Sequence, residues 1–380
     1  MKLWNLVKVN ISRIAVRGVV VFFKILTPLS PQKHWVISER GIDARDNGLH
    51  FYRYMKREHP EQKVYYIITK DSADYERVKD DAIEYKSLRT LWLAMTAQKF
   101  ISAHIFPTSM PYRGGRILNQ TLRKKFYFLQ HGIIKNDHPP LHADHISMNL
   151  FVCGAMPEYR FISSTFGFEE GVVRYTGLAR YDALADYQTK RQILLMPTWR
   201  EYLTSEDAFL QSDYYREYQK LLIDDKLAEY LERENIQLIF YPHFELQKYL
   251  KHFETKSKNV VLASFENYDV QQLLKESMLL VTDYSSVFFD FGYMEKPILH
   301  FQFDREAFEK GHYAKGYFDY DTMGFGKVCF AVEELREEIM QVAENQFVLA
   351  DEYRKRIDGF FVMRDRNNCE RIYQAISEQV

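Results

Sequence analysis

From His34 onward, short runs of β-branched and aromatic residues alternate with stretches of helical period, the pattern of a parallel sheet covered by helices. The runs "HWVIS" (34–38), "VYYIIT" (64–69), "KFISAH" (99–104), "FYFLQ" (126–130), "LFVCG" (150–154) and "VVRYTG" (172–177) predict a first set of strands. "ARDNGLHFYRYMKREH" (44–59) and "SLRTLWLAMTAQ" (87–98) predict helices between them, the first capped by Asp46 or Asn47. A polar stretch from Asp186 to Arg191 breaks the rhythm, which restarts with "ILLMPTW" (193–199), "IQLIFYPH" (236–243), "NVVLAS" (259–264), "MLLVTD" (278–283) and "PILHF" (297–301). Helices at 212–233 and 285–293 separate these strands, and a last helical block runs from about Val332 to the end. The expected fold class is α/β, with two Rossmann-like, doubly wound domains joined near residue 188 and facing each other across a cleft. The expected boundaries are a 1–30 segment, domains at 31–187 and 188–345, and C-terminal helices at 346–380.

The first 38 residues depart from that pattern. Lys2, Lys8, Arg13, Arg17, Lys24 and Lys33 all precede the first acid, Glu39. At about 100° per residue, Lys2, Arg13, Arg17 and Lys24 share one narrow sector, while Leu3, Trp4, Val7, Ile11, Ile14, Phe22 and Ile25 lie opposite and Lys8 falls outside the scheme. A basic amphipathic helix is expected, either packed on its own domain or lying on an anionic leaflet. Its apolar runs, such as Gly18 to Phe23, are far shorter than the ~20 residues of a spanning helix. No small-residue cleavage site follows a clean apolar core, so a signal peptide is not expected.

Composition narrows the classes. A chain of 380 residues exceeds what one core usually fills, and 46% hydrophobic with 16% aromatic content argues for folded structure. The net charge of −1 gives no footprint for a nucleic-acid binder. Cys153, Cys329 and Cys369 are odd in number and far apart, without zinc-like spacing, which fits a reducing compartment.

Open α/β sheets bind ligands at the carboxyl ends of their strands, so four strand ends are the candidate chemistry: "QHGIIK" (130–135), "MPTWRE" (196–201), "YPHFE" (241–245) and "TDYSSVFFD" (282–290). In the last, a helix starting near Ser285 would present unpaired N–H groups to a phosphate, with the hydroxyls of Ser285 and Ser286 adding donors. Thr282 and Tyr284 are within reach of the same ligand, and Asp290, one turn in, suits orienting hydroxyls. The alternative is that Asp283 or Ser285 simply caps the helix. Arg200 is either a bidentate phosphate fork or an ion-pair partner of Glu201, and Trp199 either a stacking face or core. His131 and His243 end strands in opposite domains and are placed for proton transfer near neutral pH, unless each is structural. Gly132 lets a ligand approach the backbone, and Lys135 adds a cation one turn on. The basic segment containing Arg113, Arg116, Arg123, Lys124 and Lys125 is a solvated loop or a docking face for an anion. The single Asp319–Asp321 "DYD" matches a short metal pattern without a second acidic cluster, so no metal and no cofactor are expected.

With these residues in view, the sequence resembles the CDP-glycerol glycerophosphotransferase family, the teichoic-acid and capsule polymerases and primases. "VTDYSSVFFDFGYMEKPILHF" is similar to the family's TDYSS–FD–KP segment, "MPTWRE" to its PTWR motif, and "SERGIDARDNGLHFYRYM" to a common N-terminal stretch. The resemblance covers about residues 34 to 340. It implies a GT-B architecture whose C-terminal domain holds CDP-glycerol or CDP-ribitol. Thr198, Trp199, Arg200, Ser285, Ser286 and Asp290 would form the donor site, His131 would be the general base and His243 would face the donor phosphates. Where the family often reads WHGTPLK this chain has "LQHGIIK", which brings Lys135 one position early, and Pro242 precedes His243 where the family's histidine commonly precedes proline. The implied reaction is transfer of glycerol or ribitol phosphate to a hydroxyl of a lipid-linked or polyol-phosphate acceptor, with CMP leaving. The implied place is the cytoplasmic face of the bacterial membrane, with peripheral attachment. A GT-B glycosyltransferase using a nucleotide sugar is the alternative; residues alone do not choose between the two polyols, between primase and polymerase, or between wall polymer and capsule.

Overall fold

The structure, a computed structural model, describes residues 13–29, 33–105, 108–110, 115–185, 187–311 and 316–378. The chain forms two compact units. The first runs to Ile133, resumes over Pro139–Ala183 and takes the chain back from Met363; the second holds Ile134–His138 and Leu184–Val362.

Seven strands build the first unit: β1 (Trp35–Ser38), β2 (Val64–Ile68), β3 (Ala82–Glu84), β4 (Lys99–Ser102), β5 (Phe126–Phe128), β6 (Leu150–Cys153) and β7 (Val173–Tyr175). Their order is β3-β2-β1-β4-β5-β6-β7, and every pair is parallel. All four residues of β1, of β4 and of β6 are buried, the polar Ser38, Lys99 and Ser102 included, as expected of parallel strands covered on both faces. The order reverses between β1 and β4, so the carboxyl ends of this pair and of the adjoining β5 flank a natural ligand position.

Asp46 caps the helix Asn47–Glu58 through Asn47 N–H. Glu39, buried just beyond β1, accepts from the N–H groups of Arg45, Asp46 and Leu49 at 2.8–3.0 Å and gathers the donors that this helix start leaves unpaired. The helix Asn368–Ser377 returns to the first unit, where the Asp182 carboxylate accepts from Asn368 N–H at 2.9 Å and Cys369 N–H at 2.8 Å. Gly177 permits this approach: its φ is +77°, and a Cβ there would lie 1.8 Å from Asn368 Oδ1. Continuous helical period to the end of the chain carried no sign that this last helix would leave the second unit.

The second unit has six parallel strands in the order β10-β9-β8-β11-β12-β13: β8 (Gln192–Met196), β9 (Gln237–Phe240), β10 (Val260–Leu262), β11 (Leu279–Thr282), β12 (Ile298–Phe301) and β13 (Gly326–Cys329). Its reversal lies between β8 and β11, paired in register from Leu279 opposite Ile193 to Thr282 opposite Met196. The single helix expected over 212–233 is two, Asp213–Leu222 and Asp225–Arg233, because the Asp224 carboxylate accepts from Leu227 N–H and starts a new helix.

Both units use a lysine to close the helix leading into the inner strand at the reversal. Lys125 Nζ donates to the carbonyls of Met95 and Ala97 at the end of helix Leu88–Thr96, and Lys296 Nζ to those of Leu274, Lys275 and Ser277 at the end of helix Val270–Glu276. Burial pulls both ammonium groups down to about 7.

Of the basic N-terminal segment, the helix Arg13–Leu26 is described, while Lys2, Leu3, Trp4, Val7, Lys8 and Ile11 lie outside the described residues. Val16, Val20 and Phe23 are buried against the first unit, with the Phe23 ring edge-on to Trp92 at 5.1 Å. Phe22 and Ile25 face outward, 58% and 69% exposed, together with Arg17 and Lys24. The helix therefore packs on its own domain along one stripe and leaves a second apolar stripe uncovered among the described residues.

Candidate active site

In the second unit the "MPTWRE" and "TDYSS" stations leave the ends of β8 and β11, the two strands at the reversal, and "YPHFE" leaves β9 beside them. What joins the first two is a buried ion set. Arg200 is 1% exposed. Its Nε and Nη2 donate to the two oxygens of Asp304 at 2.7 and 3.1 Å, and Nη1 lies 2.9 Å from Asp283 Oδ2 while donating to Thr198 O at 2.7 Å. The rings of Tyr284 and Phe308 lie 5.0 Å from the guanidinium carbon, and those two rings stack on each other. The guanidinium expected as a phosphate fork is thus engaged by two carboxylates, and Glu201 is not among its ion-pair partners in the described residues.

Asp283 is fully buried; its Oδ1 accepts from Thr198 N–H at 2.8 Å and Tyr284 N–H at 2.6 Å. Thr282 Oγ1 donates to Met196 O, and Tyr284 OH to Asp304 Oδ1 at 3.0 Å. Two of the four hydroxyls of this segment therefore point inward and bind the strand ends together. Ser285 and Ser286 are half-buried. Ser286 is the cap residue of the short helix Val287–Tyr293 without using its side chain to cap it, and Ser285 Oγ accepts from Val287 N–H at 3.4 Å. Asp290 is buried within that helix. Thr198 Oγ1 is buried with no hydrogen-bond partner among the described residues.

Lys135, whose segment belongs to this unit, donates through Nζ to the Tyr284 carbonyl. Burial lowers its pKa to about 8, against the pull of Asp283. With Tyr284, Arg305, Phe308, Phe318 and Tyr320 it lines a cavity of about 320 Å³. The "DYD" carboxylates at its rim are engaged: Asp319 caps the helix Tyr320–Met323, and Asp321 pairs with Arg305 at 2.9 and 3.0 Å. His243 stacks on Trp199 with ring centroids 6.1 Å apart, and its Nδ1 accepts from Glu245 N–H at 3.4 Å. His300, buried below, places Nδ1 3.3 Å from the Asp283 carbonyl, and burial lowers it to about 4.

In the first unit His131 is exposed just past β5, and Gly132 behind it is buried. Gln130 turns the chain with φ +46°, and its carbonyl accepts from Asn47 Nδ2 at 2.8 Å. Arg180 Nη1 donates to the His131 carbonyl at 2.9 Å and to Asp46 Oδ1 at 2.8 Å. The His131 ring lies flat against His104, centroids 4.9 Å apart and planes 15° off parallel. Arg180, His104, Asp304 and His300 were not among the candidates read from the sequence, and Asn47 entered only as a possible helix cap. His104 alone carried a usable signal, since it ends the run "KFISAH" at a strand's carboxyl end.

The family described as CDP-glycerol:poly(glycerophosphate) glycerophosphotransferase matches residues 19–378, and the chain belongs to that family. The minor teichoic acid biosynthesis protein GgaB of Bacillus subtilis (strain 168) is 33% identical over 371 residues, which are 93% of this chain and 41% of that protein. A teichoic acid poly(glycerol phosphate) polymerase of the same strain is 23% identical over 391 residues, 93% of this chain and 50% of that protein. The chain thus spans half or less of the length of these curated relatives. Among solved structures, that of the wall teichoic acid polymerase TagF superposes with a TM-score of 0.70 at 15% identity, covering 96% of this chain and 95% of that one. A putative UDP-N-acetylglucosamine 2-epimerase from Listeria monocytogenes superposes with a TM-score of 0.57 at 15% identity, covering 91% and 96%. These likenesses bear on the fold, which is the expected pair of parallel α/β units of GT-B type.

Removing the cation of the buried set strands two carboxylates. Arg200→Ala is expected to destabilise the second unit by about 3–5 kcal/mol, read from urea denaturation followed at Trp199, the one tryptophan in that unit. His300 adds a pH dependence. Between pH 6.5 and about 4 the unfolded chain binds a proton that the folded chain does not, so stability falls as pH falls, by about 1.4 kcal/mol per pH unit for this one group. His300→Gln should flatten the decline of the urea midpoint across that window relative to wild type; an unchanged slope would show that His300 charges freely in the fold.

Proposed function

We propose that the chain transfers glycerol phosphate or ribitol phosphate from a CDP-alditol to a hydroxyl of a lipid-linked or polyol-phosphate acceptor, in teichoic acid or capsule synthesis, releasing CMP. Family membership and the names of the relatives support this reading. The observation that carries it is the Ser285–Ser286 pair, left free of the inward bonding that engages Thr282, Asp283 and Tyr284 and set where the strand order reverses. In this reading the second unit holds the donor. The hydroxyls and N–H groups at Ser285 and Ser286 take the pyrophosphate, with His243 and Trp199 at the neighbouring strand ends and Thr198 Oγ1 as a further hydroxyl. Arg200 contributes by fixing the segment. His131 takes the proton of the acceptor hydroxyl as its oxygen attacks the phosphorus nearer the alditol; the bond from that phosphorus to the bridging oxygen breaks and CMP carries the electron pair away. No metal or cofactor is assigned a step.

The same reading places the protein on the cytoplasmic face of the membrane as a peripheral protein. No described helix is long and apolar enough to cross a membrane. Support comes from the outward stripe of Val21, Phe22 and Ile25 beside the exposed cations Arg17 and Lys24, and from exposed Ile117, Arg123 and Lys124 on and after the neighbouring helix Gly115–Arg123. Apolar burial with electrostatic attraction to anionic headgroups is the physics of an interfacial helix.

Incubation with a membrane acceptor and each candidate donor should release CMP from CDP-glycerol or CDP-ribitol; a nucleoside diphosphate released from a nucleotide sugar would establish sugar transfer instead. His131→Ala should lower turnover by ~10²–10⁴-fold with donor affinity intact, and Ser286→Ala should weaken donor binding. Loss of donor affinity with turnover retained in His131→Ala would reverse the roles. For the membrane, Phe22→Ser with Ile25→Ser should cut cosedimentation with phosphatidylglycerol vesicles while leaving donor binding unchanged, and binding by the wild-type chain should fade with salt. Equal sedimentation of the variant would move the contact to another surface.

A further inference from the structure

We propose that His104 is a positioning residue for His131, its flat ring setting the plane of the neighbouring imidazole. The inference rests on the reading of His131 as the general base. β4 and β5 are paired in register, Ser102 opposite Phe128, so the residues just past these ends are neighbours on the carboxyl edge. On the β4 side, Ser102 Oγ accepts from His104 N–H at 3.0 Å and fixes the turn that aims His104. On the β5 side, the left-handed φ of Gln130 redirects the chain, and Arg180, itself paired with Asp46, holds the His131 carbonyl. The backbone of His131 is thereby fixed. Its exposed side chain has two torsions, and the ring contact with His104, 4.9 Å between centroids at 15°, restrains the plane.

A base must meet the proton it removes along a defined direction, so a ring free to rotate loses rate rather than affinity. Charged groups near the pair include Arg40 and Asp43 on the His104 side and, at the His131 backbone, Arg180 with Asp46. Burial and the charge of Arg40 lower His104 to about 4, so at neutral pH it stacks on His131 as a neutral ring.

Three substitutions in the full chain separate ring from hydrogen bonding: His104→Phe keeps a flat ring, His104→Gln keeps polar atoms and His104→Ala keeps neither. With CDP-glycerol and a soluble oligo(glycerol phosphate) acceptor, Ala and Gln should lower kcat at least about tenfold with the donor KM unchanged, and Phe should restore most of it. Gln matching Phe, or donor KM rising as far as kcat falls, would overturn the proposal. Ring proton spectra of the resting protein test the stack without turnover: the ring-current displacement of the His131 signals should persist in Phe and vanish in Ala and Gln, and its persistence in Ala would also overturn the proposal. These spectra do not depend on His131 being the base, whereas undiminished turnover in His131→Ala would remove that reading and leave the stack standing.

Discussion

The second unit is organised around one guanidinium held between two carboxylates and buried from solvent. Arg200, Asp283 and Asp304 come from three loops at the ends of β8, β11 and β12, and each carboxylate that holds the cation also binds a backbone N–H or a tyrosine hydroxyl of the same loops. A buried pair gains little over apolar packing of equal shape, but losing one member leaves an uncompensated charge, which makes such a set good at specifying one arrangement. Here the arrangement it specifies is the path of the chain from Thr282 to Tyr284. Ser285 and Ser286 are presented at the strand reversal because the residues before them have no freedom to turn.

The first unit meets the same need by hydrogen bonding. A left-handed residue at Gln130, the Asn47 amide and the Arg180 guanidinium fix the backbone around His131, while Glu39 gathers the loose N–H groups of the helix from which Asn47 projects. In both units the strand order reverses beside the candidate chemistry, and in both a lysine closes the helix feeding the inner strand of that reversal. Rigid supports lie under less buried groups: His131 is exposed and Ser285 and Ser286 are half-buried, whereas Arg200, Asp283 and Gln130 are buried.

Much of this was legible in the sequence because continuous apolar runs mark strands buried on both faces, and the alternation with helical period marks a parallel sheet. The strand-end stations were legible for the same reason, since the ends of such strands are where polar residues accumulate. Function by residue was less so. "TDYSS" shows four hydroxyls without showing that those of Thr282 and Tyr284 face inward. Arg200 next to Glu201 suggests a surface ion pair or a phosphate fork; its partners lie 83 and 104 positions away, beyond what local pattern reveals. The break at Asp224 was available from its capping chemistry, but helical period on either side masked it. The return of the last helix to the first unit depends on Gly177 making room for Asn368, a contact with no local signature.

In the proposed donor site the buried cation shapes the phosphate seat rather than forming it. A crystal structure with CDP-glycerol bound tests this most directly. The pyrophosphate is expected against the hydroxyls and N–H groups of Ser285 and Ser286, with Arg200 still bound to Asp283 and Asp304. An Arg200 guanidinium released from Asp304 and paired with a phosphate oxygen would contradict it.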